Sequence, residues 1–237
     1  MEKKDIRPGI PEAAPVSSAA SAPETSIYGK YKDTLDSVMQ EITGRITAHN
    51  ERIKEETGDG IYEHLNARIK SEASMREKCD RKGLPQTPES ALHIITDSIG
   101  LRIVTRFIDD IYSIIDYLKS FPDVTVRKEK DYIRHAKPNG YRSYHMILEL
   151  TVPYEDVLGR NPGHYFVEIQ LRTIAMDMWA SLEHQLKYKH SISNEKRITT
   201  ELKRCADELA SCDVSMQTIR NLINENSKTE QTHSEEP

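Results

Sequence analysis

His164-Tyr-Phe-Val-Glu168-Ile-Gln170-Leu-Arg172 is the stretch on which the fold turns. Val167, Ile169 and Leu171 alternate with Glu168, Gln170 and Arg172, and a period of two belongs to a strand with one face in a core. The polar set is the informative one. An unpaired buried charge costs on the order of several kcal/mol, so three such residues in a row predict a strand whose second face lines a cleft or meets water. Upstream, Ile99 to Phe107 is rich in β-branched residues and reads as a strand, preceded by a short helix (Glu89 to Ile95) and followed by a helix from about Asp109. Val124 to Tyr132 and Ser143 to Val152 read as two more strands around a loop at 133–142. Leu35, Val38, Met39, Ile42 and Ile46 recur at helical steps in a first helix that ends near Glu56. Tyr62 to Lys70 is extended, Ser71 stands as an N-cap, and the helix it opens stops at Gly83 and Pro85. Helices over Thr173 to Lys189 and Asn194 to Asn224 complete an α/β rhythm.

Composition sets the outer limits. The chain has 237 residues, which at about 150 residues per domain is one domain with tails. Its hydrophobic share of 37% lies below the ~45–50% of an average globular domain, so part of the chain is expected to stay unpacked. Residues 1–26 hold four Pro, five Ala and four Ser with no apolar periodicity and are expected to be disordered, as is a polar acidic tail over 226–237. No apolar run reaches the ~18 residues of a membrane span, and the N-terminus lacks a signal peptide's apolar core; the chain reads as cytoplasmic, with no membrane contact. A net charge of −5 argues against a general DNA or RNA binder but leaves room for a local basic pocket. Cys79, Cys205 and Cys212 form no Cys-x-x-Cys pair, which suggests core packing rather than disulfides or zinc.

Four constellations carry chemistry. Arg68 and Lys70 share a strand face and lead into a helix N-terminus bearing Ser74 and, one turn on, Lys78; the set suits a polyphosphate, or is simply a solvated basic helix. Asp97 and Arg102 flank the mouth of a strand, where a carboxylate holds Mg²⁺ or merely makes a turn. From Arg127 to His145 there are six Lys+Arg against two acids. Within that run Lys130, Lys137, Arg142 and His145 interleave with Tyr141, a pattern that suits a stacked base beside phosphates. The fourth is Glu168, Gln170 and Arg172 as a cleft lining, continuing into Asp177, Trp179 and His184, of which Trp179 and His184 read as helix packing rather than catalysis.

The fragments RIKSEAS (68–74), DSIGLRIV (97–104), KDYIRHAKPNGYRSYH (130–145) and EIQLRTIAMDMWASLEHQLKYK (168–189) resemble the synthetase domain of the RelA/SpoT homologue family, in particular its single-domain small alarmone synthetases. The resemblance spans about residues 27–225. It implies a mixed, mainly five-stranded sheet flanked by helices, related to nucleotidyltransferases, and a GTP pyrophosphokinase activity in the stringent response: pyrophosphate moves from ATP to the 3′-hydroxyl of GDP or GTP, giving AMP and ppGpp or pppGpp. No His-Asp pair is present, so the family's metal-dependent hydrolase domain is not expected, nor are its regulatory C-terminal domains.

Carried over by position, the resemblance implies that Arg68, Lys70, Ser74 and Lys78 grip the ATP phosphates with Arg102 nearby. Asp97 holds Mg²⁺, and Glu168 completes the metal site or deprotonates the 3′-hydroxyl. Tyr141 stacks on guanine; Lys130, Lys137, Arg142 and His145 contact acceptor phosphates or shape that pocket; Gln170 and Asp177 complete it. Some relatives carry Asn at the position of Asp177. The resemblance further implies a homotetramer with terminal helices at its interfaces and, in some members, an alarmone-binding allosteric cleft; here the first helix and the last, with Leu202, Leu209, Ile219 and Leu222, serve that purpose or simply pack one face on their own domain. The alternatives are an adenosine-nucleotide or tRNA acceptor, as in related toxins, and a catalytically silent nucleotide- or RNA-binding module.

Overall fold

The computed structural model describes residues 26–188 and 194–234; the expectations for 1–25 and 235–237 lie outside the described residues. Its centre is a five-stranded mixed sheet of β1 (His64–Ile69), β2 (Ile99–Thr105), β3 (Val124–Asp131), β4 (Tyr144–Val152) and β5 (Gly163–Thr173). The spatial order is β1-β2-β5-β4-β3, with β2 and β5 parallel and every other neighbouring pair antiparallel. Around it lie α1 (Lys32–Thr57), α2 (Glu72–Arg81), α3 (Ile108–Lys119), α4 (Ile174–Tyr188) and α5 (Glu195–Ser234).

One face of the sheet is apolar because the strands alternate. Ile99, Leu101 and Ile103 of β2, Met146, Leu148 and Leu150 of β4, and Val167, Ile169 and Leu171 of β5 are all buried. They close against Leu35, Val38, Ile42 and Ile46 of α1 and Ile111, Ile114, Ile115 and Leu118 of α3, in one continuous core. These helix positions recur every three or four residues, as an amphipathic helix on a sheet requires. The opposite sheet face is left as an open cleft.

Ser71 caps α2 by accepting the Ser74 N–H, as the sequence predicts. The segment before β2 is a single wide helical turn, Ser90–Ile94, closed by the Ile95 N–H on the Ser90 carbonyl at 2.9 Å. The last helix runs ten residues beyond the expected Asn224, to Ser234, so most of the stretch read as a polar tail is helical. Cys79 is buried, but Cys205 and Cys212 are exposed on α5, against the expectation that all three pack in the core; their helix lies on the domain's surface.

Candidate active site

Sheet register assembles the cleft. Residues paired across neighbouring strands point to the same face, and the register aligns Arg68 (β1), Gly100 (β2), Glu168 (β5) and Ile147 (β4) in one row. Two residues along lies a second row, Asn66, Arg102, Gln170 and His145. The edge strand joins these rows only because of an irregularity. Val126 pairs with Leu148 on the core face, yet Lys128 pairs with Ile147 and Lys130 with His145, because the register shifts between Val126 and Lys128. The extra residue of a β-bulge flips the rest of the strand to the other face, and it turns both lysines into the cleft. Unbroken alternation would place Lys128 and Lys130 alike on the core side; residue type and resemblance single out Lys130, whereas Lys128 is assigned no role by the sequence. Gly100 leaves the middle of the first row open: a Cβ there would meet nothing within 4 Å.

On the β1 side, Asp97 binds two of the expected phosphate cations itself, at 2.5 Å from Lys78 Nζ and 3.1 Å from Lys70 Nζ. Burial alone would raise its carboxyl, but the hydrogen bond from Lys78 and the charge of Lys70 outweigh it and hold the group below the usual range. Arg68, Lys70, Asp97, Arg102, Glu168 and Gln170 line one cavity, and Asp97, Glu168 and Lys78 also line the adjoining one with Lys130, Lys137 and His145. Ser74 lines neither; its hydroxyl accepts from Ser71 at 2.9 Å. The carboxylates thus stand where the two cavities meet.

The donor set fits a divalent cation. Asp97 Oδ1 is buried without a hydrogen-bond partner, and Glu168 faces the same space. A hard cation such as Mg²⁺ takes oxygen ligands and is held by one or two carboxylates plus substrate phosphates. Among the described residues no cluster of three or more His, Cys, Asp or Glu stands ready as an all-protein site, so such an ion would be shared with a substrate.

On the β3 side, Lys137 Nζ lies 4.5 Å above the Tyr141 ring and 4.7 Å from that of Tyr132. Tyr132 lines the cavity, a role the sequence did not assign it. Tyr141 stands behind, its hydroxyl 2.8 Å from His145 Nε2 and accepting from Arg172 Nη2 at 2.8 Å. His145 is pushed down to about 4, first by burial and then by Arg172, Lys137 and Lys130, so its imidazole is neutral at neutral pH.

Two further expected members are placed elsewhere. Arg142 turns away from the cleft, to Asp207 at 3.1 Å and the Ala206 carbonyl at 3.3 Å on α5. Arg172, expected to face the cleft or water, is buried; it donates to Asp177 at 2.9 Å as well as to Tyr141. Asp177 also faces Arg102 at 3.6 Å, so it joins the two flanks rather than belonging to one. Nothing in β5's alternation distinguishes Arg172 from Gln170. The burial comes from α4, which continues directly from β5 and brings Asp177 over the guanidinium.

Comparison with known proteins places this geometry. Residues 67–193 match the family model described as a region found in RelA / SpoT proteins. GTP pyrophosphokinase YwaC of Bacillus subtilis is 43% identical over 150 residues, 63% of this chain and 70% of that protein. GTP pyrophosphokinase YjbM of the same organism is 37% identical over 163 residues, 69% of this chain and 74% of that one. The crystal structure of small alarmone synthetase 1 from Bacillus subtilis bound to its product pppGpp superposes with a TM-score of 0.68 at 32% identity, covering 80% of this chain and 94% of that one.

Proposed function

The chain belongs to the RelA/SpoT family, and from that premise we propose that it is a GTP pyrophosphokinase, moving pyrophosphate from ATP to the 3′-hydroxyl of GDP or GTP. The observation that carries the reading is the double cleft: Asp97 and Glu168 stand between a cavity bearing Arg68, Lys70 and Arg102 and one bearing Lys128, Lys130 and Lys137. Two anionic substrates meeting at a pair of carboxylates is the arrangement that pyrophosphoryl transfer asks of a site.

The acceptor's 3′-oxygen forms a bond to the β-phosphorus of ATP as the bond from that phosphorus to the α,β-bridging oxygen breaks. AMP leaves with the electron pair, and Glu168 takes the hydroxyl proton. Arg68, Lys70 and Lys78 hold the donor phosphates, with positioning and charge neutralisation supplying most of the catalysis. Lys128 and Lys130 take the acceptor's phosphates. Guanine is received by Tyr132 and Tyr141, displacing the Lys137 ammonium that now covers their rings. Mg²⁺ held by Asp97 and Glu168 would neutralise charge on the transferred group. No described helix is long and apolar enough to cross a membrane, and the substrates belong to the cytoplasm, where we place the enzyme.

A homotetramer with an alarmone cleft between protomers belongs to the same proposal. Leu202 and Leu209 pack on Trp179 and Ala206 within the protomer, whereas Ile219 and Leu222 are 50% and 55% exposed and are open to contact with another copy. Light scattering at the mass of one protomer would exclude that assembly.

The test of the activity is incubation with γ-labelled ATP and Mg²⁺ alongside GDP, GTP, ATP or tRNA. Label on the 3′ position of a guanine nucleotide is expected. Label on adenosine or tRNA overturns the choice of acceptor, and absence of transfer overturns the enzyme.

A further inference from the structure

Among the described residues, Arg172 is the buried cation whose hydrogen bonds reach both flanks of Glu168. Its side chain is 7% exposed. Nη1 donates to Asp177 Oδ1 at 2.9 Å, and Nη2 donates to Tyr141 Oη at 2.8 Å and to Gln170 Oε1 at 3.2 Å. A guanidinium only donates, so every partner must present an acceptor to it, which turns the Gln170 amide and occupies a lone pair of the Tyr141 hydroxyl.

Two hydrogen-bond chains run from it. Tyr141 Oη accepts from Arg172 and lies 2.8 Å from His145 Nε2, within reach for its own proton to be given there. A neutral imidazole that accepts on Nε2 carries its proton on Nδ1, and Nδ1 stands 4.0 Å from Glu168 Oε1. On the other branch, Gln170 turns Oε1 to Arg172 and therefore Nε2 to Glu168 Oε2, at 3.4 Å. Reversal of either group would place a lone pair against the carboxylate instead of a proton.

We infer that Arg172 is a positioning residue that sets the direction of two hydrogen-bond chains, through Tyr141–His145 and through Gln170, so that each oxygen of Glu168 faces a donor. Asp177 anchors the guanidinium in this pose. Glu168 takes its role here from the function proposed above, but the geometry around it is observable without turnover.

The test is nitrogen NMR of the full-length protein with isotope-labelled histidine at neutral pH, the His145 signal being assigned by its loss in His145→Gln. The parent is expected to show His145 protonated on Nδ1 with a bare Nε2. Arg172→Lys keeps the charge but replaces a planar fork with a point donor. It is expected to mix the two tautomers and to lower kcat about tenfold or more, with KM for ATP changed less than about twofold. Tyr141→Phe retains the ring that meets the base and cuts only the imidazole branch, so it keeps the inference testable if Arg172→Lys folds poorly. It is expected to mix the tautomers with a smaller fall in kcat. A parent protonated on Nε2, or a tautomer unmoved in Tyr141→Phe, overturns the inference. Failure of the pyrophosphokinase reading would show differently, as a parent with the expected tautomer and no transfer.

Discussion

The two flanks of the cleft are held in place by different means. On the β1 side, Arg68, Lys70, Lys78, Asp97 and Arg102 come from one short run of chain, fixed by the Ser71 cap of α2 and the register of β1 on β2. On the β3 side, the loop at 133–142 is held from behind by helices far along the sequence. Asn139 donates to Glu183 at 3.2 Å, Arg142 to Asp207 at 3.1 Å, and Gly140 lies against Ala206. Trp179 Nε1 donates to the Leu202 carbonyl at 2.9 Å, locking α4 to α5. The β1 flank is thus a local structure and the β3 flank a docked one; on the proposed assignment of ATP to the first and the acceptor to the second, disturbing α5 should alter acceptor handling and spare ATP.

Glu168 is where the flanks meet, and its loss should ignore the division. Glu168→Gln is expected to lower turnover about 10²–10⁴-fold, the range for removal of a positioned acid or base, with affinity for a non-hydrolysable ATP analogue and for GTP near the parent's. Asp97→Asn should fall with it. Steady-state rates and calorimetric titration check both, and near-parent turnover in either would remove the carboxylates from the reaction. Next in size is a change confined to the donor side. A Cβ at Gly100 meets nothing within 4 Å, so Gly100→Val should fold while its branches fill the row between Arg68 and Glu168. ATP-analogue affinity is expected to drop about tenfold or more, with GTP affinity little moved; equal losses for both would show that the cavities are one.

Gly140→Ala is the mirror experiment. Gly140 has φ +91, and an added Cβ would come within 2.5 Å of the Ala206 Cβ. The left-handed backbone alone costs roughly 1–2 kcal/mol, which with the contact lowers Tm by about 5 °C. KM for the guanine nucleotide should rise while ATP-analogue affinity holds; a fall in ATP affinity of the same size would contradict the independence of the flanks.

Much of this was legible in sequence where periodicity is local. The alternation at 164–172 marks the strand and its cleft face, the apolar steps from Leu35 to Ile46 mark α1, and Ser71 marks the start of α2. Arg68, Arg102, Gln170, His145 and Lys130 were each chosen by residue type, and register then gathers them. Three things lay beyond a linear reading. The bulge that turns Lys128 inward depends on pairing with β4. Arg142 and Arg172 are set by α5 and α4, elements that pack over them only in three dimensions. The pairing of Asp97 with Lys70 and Lys78 joins residues that the sequence treats as separate sites.

The smallest expected effect separates the flanks by pH. The His145 imidazole falls from its ordinary value of 6.5 to about 4, through burial first and nearby cations second. Between those values the unfolded chain binds more protons than the folded one, so stability declines as pH falls through this window. The loss is about 1 kcal/mol between pH 6.5 and about pH 5.5. Asp97 has the opposite displacement relative to its charge. Its carboxyl lies below 3.8 in the fold, so its contribution is present above that pH and disappears only on further acidification. Denaturant midpoints measured across pH should therefore show the acceptor flank's share disappearing first. In His145→Gln the decline between 6.5 and about 4 should become shallower, leaving a share from His49, whose imidazole burial also lowers, whereas Asp97→Asn should leave the decline unchanged. A slope undiminished in His145→Gln would place the titrating group outside the acceptor flank.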